Sequence, residues 1–551
     1  MNISIKQKII INAICISWFS IVVAGGLILW RMEKSGTVFL KKVEEQRLTN
    51  IRYFKSQQIV NYFKQVSDNI LILCKNQSTI AAVQEFSKAF SKYLPESKYL
   101  TTGYRRSVID NYVNLFIEQY KIYNAGKNIN SYDILNLMTE EGFALQYKYI
   151  FDNPYPISQK YRLNITNDGT QYSIVHGKYH QTLLSFKEYF GFYDVFLIDQ
   201  QGKIVYTVNK EIDFTASLLN GPYAGSGLSK IFQQVMNAEK DNFIAITDFA
   251  PYLSSYDNQA AFIGTSIVDD AGNRVGALVA QLSVDALNKL MMSENKDLKK
   301  IGLGKSVNYV IVGADYKLRT DNRFFLENKD GFLDGLKTTG VVQSVIDLMK
   351  AKNSCIGLLT ANTVAVKNAL AGQEGFIPYI DYRNIPVVGS FAPLQIPGLN
   401  WVIVVKIDQE EAFQWINVLK KKILLDAMLV AIVIAIIGIF LGIITTSSIV
   451  QSIYKITEEL NSIAKTKDLT RRLDPSQSSE FIIMINAVNN FIASVQQAFQ
   501  NIQGSVVGKF KNNTKEPEDV KKDIFDLVEQ VEDLSKEFKI IEDQNDRIKY
   551  W

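Results

Sequence analysis

Acidic and aromatic side chains recur between residues 193 and 257, and together they could hold a small ligand. They are Tyr193, Asp194, Tyr206, Asp248, Tyr252 and Asp257. A carboxylate attracts an ammonium group, and tyrosine rings can pack against the body of an amino acid or another small cation. The alternative is purely structural, because tyrosines are common in strands and aspartates are common in turns. The sequence alone favours neither interpretation and does not identify the ligand.

The two histidines of the chain, His176 and His180, lie four residues apart. On a helix they would face the same side, which can suit a metal ion. However, no acidic residue completes a His-Glu-x-x-His arrangement, no cysteine is near, and Gly177 between them weakens a helix. We therefore expect the pair to pack or hydrogen-bond against a sheet, and we expect no metal and no other cofactor.

The segment Gly302-Leu-Gly-Lys-Ser306 looks like the end of a phosphate-binding loop. That motif needs another glycine five positions before Gly304, where this chain has Lys299. The sequence therefore predicts a turn before a strand at Asn308 and not a nucleotide site.

Composition excludes several classes of protein. The 60 Lys and Arg residues nearly balance the 56 Asp and Glu residues, whereas a dedicated nucleic-acid binder carries an obvious basic excess. Three cysteines in 551 residues rule out a disulfide-stapled scaffold. A search for catalytic arrangements leaves none, so we do not expect the chain to be an enzyme.

Two apolar stretches are long enough to cross a membrane, and they divide the chain. The first covers 9–30 and has no charged residue in 22 positions, which as a helix spans roughly 33 Å. The second covers 423–444. Lys6 and Lys8 favour a cytoplasmic N-terminus, so residues 31–420 are expected on the outer side of a bacterial inner membrane. A cleaved signal peptide is the alternative for 9–30, although its apolar run exceeds the usual length of about 7 to 15 residues.

The region between the two apolar stretches begins with residues 31–95, which are nearly free of glycine and proline. Apolar residues recur at helical spacing from Ile59 to Leu73. We expect one helix of about 60 residues, roughly 90 Å long. Two or three shorter helices are the alternative. A second helical block is expected between Arg105 and about Tyr123.

Strand-like segments then follow in two similar series, which indicates an internal repeat. Each series has two strand-turn-strand units and a closing helix, so we expect two α+β modules, one over 96–290 and one over 291–415. The expected strand pairs are 193–199 with 203–208, 261–270 with 275–283, 308–315 with 316–320, and 387–394 with 401–408.

Several of these segments resemble the double Cache ectodomain of bacterial transmembrane receptors. They are Phe190–Asp199, Ile204–Val208, Lys210-Glu211, Asp213-Phe214, Gly221–Tyr223, Asp248–Tyr252, Gly389–Leu394 and Gly398–Trp401. The resemblance covers residues 33–413. It implies two tandem PAS-like Cache modules with antiparallel sheets, carried by the long N-terminal helix. Such receptors usually hold their ligand in the membrane-distal module, which here is 96–290.

Two heptad patterns follow the second apolar stretch. Apolar residues step by three and four positions from Ile449 to Ile463 and again from Phe481 to Ile502, which predicts two helices of a small dimeric bundle. The connector resembles that of a HAMP linker domain, which would cover 445–502. Lys467 stands where that family usually has glycine. The resemblance implies signalling roles for Asp468, Leu469, Leu473 and Glu480.

A last heptad pattern predicts a coiled-coil helix over 518–550. The alternative is one amphipathic helix that docks on a partner protein. No phosphoacceptor histidine and no cyclase loop motif follows the HAMP-like part. We therefore expect an unidentified cytoplasmic protein to supply the output.

These features predict a homodimeric transmembrane receptor. It would sense a small extracytoplasmic ligand, such as an amino acid, an amine or an organic acid, and relay the signal through the HAMP-like part. A membrane-anchored coiled-coil scaffold and a receptor truncated before its output domain are the alternatives. No nucleic-acid partner is expected.

Overall fold

The structure, a computed structural model, describes residues 5–97, 103–130, 134–135, 138–292, 304–475 and 481–511, together with seven positions between 521 and 536. These residues form an α+β fold with long helices and antiparallel sheets. The chain divides into two compact units. One is Val38–Ile416, and the other combines Met1–Thr37 with Asn417–Trp551.

The single helix predicted over 31–95 is wrong, because the chain breaks there into two helices. Helix α1 is Ile5–Cys74 and helix α2 is Gln77–Glu96. Between them the side chain of Asn76 accepts a hydrogen bond from the backbone N–H of Ser78 at 2.8 Å. An asparagine in this position satisfies a free N–H at a helix start, so it begins a new helix where a continuous rod was expected.

Several shorter helical segments lead to the first sheet. The block predicted at 105–123 is helical, with a π-helical stretch inside it. Helix α6, Gln171–Phe190, is capped at its start by Thr170 and is followed by Gly191, which has the left-handed φ of 69° that favours glycine after a helix. The segments are α3 Tyr104–Ser107, π-helical Val108–Val113, α4 Asn114–Tyr123, α5 Glu140–Gln146, π-helical Tyr147–Phe151, 3₁₀ Ile157–Arg162 and α6 Gln171–Phe190.

The first sheet has five antiparallel strands in the order β2-β1-β7-β6-β3. Helices α2 and α6 pack against it, and the ring of Phe86 in α2 lies 4.8 Å from the ring of Tyr206 in β2. The predicted strand pairs 193–199 with 203–208 and 261–270 with 275–283 are confirmed. The elements are β1 Asp194–Asp199, β2 Ile204–Thr207, α7 Gly227–Met236, β3 Ile244–Ile246, β4 Ala250–Tyr252, β5 Asn258–Ala260, β6 Phe262–Val268, β7 Arg274–Gln281 and α8 Val284–Met292.

The second sheet has four antiparallel strands in the order β8-β11-β10-β9. Its β10–β11 pair confirms the prediction at 387–394 and 401–408. The elements are β8 Asn308–Gly313, α9 Arg323–Glu327, α10 Lys329–Lys337, α11 Gln343–Lys352, α12 Val364–Leu370, β9 Gly375–Ile380, β10 Pro386–Leu394, β11 Trp401–Asp408 and α13 Gln409–Ala412.

The pair predicted at 308–315 and 316–320 is confirmed in part. The backbone N–H of Arg319 donates to Ile311 at 2.8 Å and that of Gly313 donates to Lys317 at 3.0 Å, around an antiparallel bridge between Val312 and Leu318. No continuous strand forms at 316–320, because the backbone N–H and carbonyl of Leu318 bond to Leu359 and Gly357 of a loop, at 3.1 and 2.9 Å. The nearby turn that precedes β8 matches the prediction for 302–306 in its described part. The carboxylate of Glu411 accepts hydrogen bonds there from the backbone N–H groups of Lys305 and Ser306.

Helix α1 is fastened to the second sheet by a buried arginine. Nε of Arg52 donates to the hydroxyl of Ser390 in β10 at 3.0 Å, and its guanidinium forms an ion pair with Glu374 at 3.0 Å. The ring of Phe63 packs edge-on against Trp401 of β11, with ring centroids 5.6 Å apart. Polar and apolar contacts therefore both hold the helix on the sheet.

The second unit contains the C-terminal helices α14 Gln414–Thr466 and α15 Ile482–Lys511. Within the described residues, two helices are long and apolar enough to cross a membrane by length and composition, Ile14–Cys74 and Gln414–Thr466. They include the predicted spans 9–30, from residue 14 onward, and 423–444. Most of the predicted coiled coil at 518–550 lies outside the described residues.

Candidate functional site

The six predicted ligand residues do not form a single site. Tyr193 and Tyr252 flank a pair of acidic residues that we did not predict as ligand residues, Glu211 and Asp213. The hydroxyl of Tyr193 donates to Glu211 at 2.5 Å, and the hydroxyl of Tyr252 donates to Asp213 at 2.6 Å. We define the acidic pocket as Glu211, Asp213, Tyr193, Tyr223 and Tyr252.

Asp194 lies next to the acidic pocket, but its carboxylate serves the β1–β2 hairpin. It accepts hydrogen bonds from the backbone N–H groups of Val195, Val208 and Asn209, at 2.7 to 3.0 Å, and from the hydroxyl of Thr207. Its acceptor positions are occupied, so the turn interpretation describes this aspartate better than ligand binding does.

Tyr206 lies in the core between the first sheet and α6. It is fully buried, and its hydroxyl is 2.6 Å from Nδ1 of His180. Nε2 of His180 donates to the carbonyl of Tyr161 at 2.6 Å, so Nδ1 is the unprotonated nitrogen and accepts from Tyr206. Burial lowers the pKa of His180 to about 3, and the nearby charge of Lys210 adds to this effect.

His176 stacks on His180 with ring centroids 4.4 Å apart, and its Nδ1 is 2.6 Å from the carbonyl of Asn164. Hydrogen bonding of the pair against the sheet is therefore as expected. Within the described part of the chain, no group of three or more histidine, cysteine or acidic side chains could hold a metal ion.

Asp248 links the first sheet to the second. Its carboxylate binds Arg319 through two hydrogen bonds of 2.6 and 2.8 Å and accepts a third, of 2.8 Å, from Nε1 of Trp401. Arg319 is almost completely buried. The predicted ligand role does not suit Asp248, because its oxygens already accept from Trp401 of β11 and from Arg319, which follows β8.

Asp257 lies in a short loop that side chains of α4 and α11 contact. Its carboxylate accepts a hydrogen bond from the hydroxyl of Tyr120 in α4. The preceding residue, Tyr256, stacks between Phe116 and Tyr123, with ring centroids 4.9 and 5.1 Å away. Both Tyr256 and Asp257 have a φ of 55°, a strained backbone region for residues other than glycine.

Lys352, at the end of helix α11, hydrogen-bonds to the same loop. Nζ of Lys352, the last residue of α11, donates to the carbonyl of Tyr256 at 3.0 Å. That carbonyl also accepts from the side chain of Asn124 at 3.0 Å. Burial lowers the pKa of Lys352 to about 8, which the negative charge of Asp257 opposes. The loop joins β4 and β5, which form a two-stranded sheet of their own, and it is a junction between this hairpin, α4 and α11.

The acidic pocket carries more negative charge than its surroundings neutralise. Burial raises the pKa of Asp213 to about 7, and the charge of Asp194 adds to the increase, whereas the hydroxyls of Tyr252 and Ser254 favour the charged form. Burial also raises the pKa of Glu211 well above its ordinary value, and the charge of Asp213 raises it further. The pocket therefore favours a bound proton or another cation.

Two buried oxygens near the acidic pocket have no hydrogen-bond partner among the described residues. They are Oδ1 of Asp213 and Oε1 of Gln281, whose side chains are 0% and 4% exposed. Both side chains adjoin the 3₁₀ turn Leu253–Ser255. Nε2 of Gln281 donates to Ser255 at 3.2 Å, and Tyr223 shares a hydrogen bond of 2.9 Å with Ser254. Buried acceptors without a donor are rare in proteins and require an explanation.

The acidic pocket has an opening and an adjoining cleft. Tyr193 is 39% exposed and Glu211 is half-buried, so solvent reaches this edge. A narrow cleft of about 20 Å³, which has room for about one water molecule, lies beside Tyr223. It is lined by Ile134, Met138, Ile212, Ala216, Ser217, Asn220, Pro222 and Tyr223.

The sequence named the two missed carboxylates only within segments that resemble double Cache receptors, Lys210-Glu211 and Asp213-Phe214. They follow β2 in consecutive turns, where the backbone N–H of Phe214 donates to the carbonyl of Glu211 and that of Ala216 donates to the carbonyl of Asp213. Strand periodicity therefore gives no direction for these side chains.

In the second unit, the connector between α14 and α15 is held by a side chain of α15. Asn489 brackets Leu473: its Oδ1 accepts from the backbone N–H at 2.8 Å and its Nδ2 donates to the carbonyl at 2.7 Å. Leu473 is buried with Ile456 and Ile485. Lys467, at the position where glycine is usual, has a left-handed φ of 56°.

Two of the other predicted signalling residues also lie in this connector. The carboxylate of Asp468 accepts hydrogen bonds from the backbone N–H and the hydroxyl of Thr470, at 3.1 and 2.5 Å. Leu469 is half-buried, and its carbonyl accepts from Arg472 at 2.7 Å. Glu480 lies outside the described residues.

Comparison with protein-family models finds no matching family. Comparison with solved structures finds similarity to the sensory domains of bacterial chemoreceptors and sensor kinases. The periplasmic sensory domain of the Campylobacter jejuni chemoreceptor Tlp1 is 13% identical, over 68% of this chain and 98% of that chain, with a TM-score of 0.28. The ligand-binding domain of the Pseudomonas fluorescens chemoreceptor CtaA, solved with L-serine, is 14% identical over 55% and 99%, with a TM-score of 0.26.

A third similar structure is the sensor domain of the V. cholerae histidine kinase DctB. It is 13% identical over 54% of this chain and 97% of that chain, with a TM-score of 0.26.

Proposed function

We propose that the chain is a transmembrane receptor, not an enzyme, that senses a small extracytoplasmic ligand in the acidic pocket. It crosses a bacterial inner membrane twice, with residues 31–420 outside, and it acts as a homodimer. The HAMP-like part, 445–502, relays the signal to a cytoplasmic partner. The resemblance of the sequence to double Cache receptors with a HAMP linker supports this assignment.

One observation carries the proposal. The acidic pocket contains a buried carboxylate with an unpartnered oxygen, and it opens to solvent at Tyr193 and Glu211. An unsatisfied buried acceptor costs about 1–3 kcal/mol. A bound ligand that supplies the missing donor would remove this cost.

The contacts of the loop at Tyr256 supply a physical basis for the first step of signalling. The loop begins directly after Tyr252, whose hydroxyl donates to Asp213 of the acidic pocket, and it reaches Tyr256 through the turn Leu253–Ser255. Lys352 holds the same loop from α11. A ligand that displaces the loop therefore changes a contact with the second sheet's helices. Moving a two-state balance from 1:99 to 99:1 requires about 5.5 kcal/mol of differential binding.

The test is the thermal stability of the full-length protein in lipid nanodiscs, measured against a panel of amines, amino acids, organic acids and divalent metals. A ligand that binds only the folded state raises its apparent stability in proportion to the logarithm of its concentration. The proposal predicts at least one compound whose stabilising effect grows in this way. A well-folded protein with no stabiliser would instead favour the scaffold alternative, in which a C-terminal partner binds tightly and no small molecule alters that binding.

A further inference from the structure

The unpartnered oxygen of Asp213 indicates the chemistry of the ligand. An ionised carboxylate can only accept hydrogen bonds, so Oδ1 requires a donor. The unpartnered Oε1 of Gln281 adjoins the same turn, 253–255, and is a second acceptor. An ammonium group offers three N–H donors and a positive charge, which matches a carboxylate with a neighbouring amide oxygen.

The aromatic side chains of the acidic pocket suit the same ligand. Tyr223 and Tyr252 are buried, with ring centroids 5.8 Å apart, and Tyr193 lies at the opening. Tyrosine faces attract cations most strongly where water is excluded.

The cations near the acidic pocket are directed elsewhere. Lys210 donates to the backbone carbonyl of Thr207 at 2.7 Å, and Lys187 lies over the ring of Tyr161 at 4.8 Å. Among the described residues, neither lysine nor any arginine is hydrogen-bonded to Glu211 or Asp213. The arginines of this region that form ion pairs do so elsewhere, Arg105 with Glu140, Arg106 with Asp110 and Arg274 with Asp241.

A ligand carboxylate would therefore meet two protein carboxylates and no guanidinium. Like charges in a poorly solvated site repel strongly, and the ligand would have no bidentate partner. An amino acid satisfies only half of this chemistry, and an organic acid satisfies none of it.

We propose that the acidic pocket binds a small organic amine as its ammonium cation, and that the ligand carries no carboxylate. This inference rests on the proposed function, since it names the ligand class of the same site. Asp213 and Gln281 accept from the ammonium group, Glu211 adds a second negative charge at the opening, and the tyrosines surround the cation.

The proposal implies a characteristic pH dependence. Below about pH 7 the carboxyl of Asp213 holds a proton when no ligand is bound, and a cation must displace it. The titratable groups that face Asp213 and Glu211 are Tyr193, Asp194, Tyr223, Tyr252 and Tyr256, together with the more distant Lys187. The tyrosines stay neutral near pH 7, because their pKa values are raised. Amine affinity should therefore fall as pH decreases from 8 to 6, by up to about tenfold per pH unit.

The experiment is calorimetric titration of the full-length protein in nanodiscs. The probes are methylammonium and 1,4-diaminobutane as amines, glycine and L-serine as zwitterions, and succinate as an anion. The variants are Asp213→Asn, Glu211→Gln and the control Asp270→Asn, which removes the same charge from an exposed site in the same region. We expect one or both amines to bind, and to bind at least tenfold more weakly to Asp213→Asn than to Asp270→Asn. Glu211→Gln should weaken binding less and keeps the test informative if Asp213→Asn does not fold.

Each contrary result has a distinct meaning. Binding of glycine or L-serine at least as tightly as the amines would overturn the claim that the ligand lacks a carboxylate. Binding of succinate alone, or binding that strengthens as pH falls, would overturn the claim that the ligand is a cation. The receptor assignment would remain. Failure of every probe to bind a folded protein would overturn the amine inference and remove support from the receptor assignment as well.

Discussion

Replacing Asp213 with asparagine should stabilise the ligand-free protein at pH 8. The pKa of Asp213 rises from its ordinary value of 3.8 to about 7, chiefly because the side chain is buried. At 1.36 kcal/mol for each pKa unit, the ionised form therefore costs the folded state about 4 kcal/mol. The asparagine removes this cost, and its carbonyl oxygen can still accept the hydrogen bond from Tyr252.

The asparagine introduces a smaller cost of its own. Its amide NH₂ would take the place of Oδ1, which has no partner among the described residues, and an unpaired buried donor costs about 1–3 kcal/mol. The net stabilisation at pH 8 should therefore be about 1–3 kcal/mol. Between pH 7 and pH 4 the folded wild type keeps a proton on Asp213 that the unfolded chain loses, so the wild type gains stability as pH falls. The advantage of the variant should consequently disappear near pH 5.

The assay is denaturant unfolding of the full-length protein in nanodiscs, followed by tryptophan fluorescence at pH 8, 6.5 and 5. Trp401, which is fully buried, reports on the packing of α1 against the second sheet. The control Asp270→Asn should change the free energy of unfolding by less than about 0.5 kcal/mol at every pH. An Asp213→Asn variant that is equally destabilised at pH 8 and pH 5 would refute the reasoning, because the buried charge would then carry no penalty.

Three further predictions concern other parts of the chain. The histidine pair should make the protein acid-sensitive. Below pH 6.5 the unfolded chain protonates His180, whereas the folded protein does so only near pH 3, so the wild type should lose about 2 kcal/mol of unfolding free energy at pH 5. Measured unfolding free energies should show that His180→Gln abolishes this loss. Lys352→Met should raise the hydrogen-exchange rates of the amides of 253–257 about fivefold to tenfold, since one hydrogen bond contributes about 1 kcal/mol. Unchanged rates would contradict the claim that Lys352 stabilises this loop. Asn489→Ala should speed tryptic cleavage of the connector roughly tenfold or more, whereas Asn490→Ala, an exposed neighbour, should not.

Local patterns predicted most of the strands. The β1–β2 hairpin follows from an alternating strand, a turn at Gly202 and a second strand, and Gly202 has the left-handed φ of 75° that such a turn needs. The break of the long helix was missed, although Asn76 is a good N-cap. Apolar periodicity continues on both sides of it, and periodicity alone does not register a cap.

Side-chain chemistry was harder to predict than the fold. Asp194 and Asp248 are conspicuous acidic residues, but backbone N–H groups or a distant arginine occupy their oxygens. Asp248 and Arg319 are 71 positions apart, so no local pattern could reveal their ion pair. Glu211 and Asp213 follow a strand in a loop whose path depends on tertiary packing, and their significance emerges only from the unpartnered oxygen.

The central claim is that a ligand outside the membrane changes the HAMP-like part inside. The most direct measurement is the rate of tryptic cleavage at Arg471 and Arg472 in the full-length protein in nanodiscs, with and without a saturating stabiliser from the ligand panel. The receptor assignment predicts that the stabiliser changes the rate several-fold in the wild type and leaves it unchanged in Asp213→Asn. A ligand that binds the wild type at saturation and leaves the cleavage rate unchanged would contradict it.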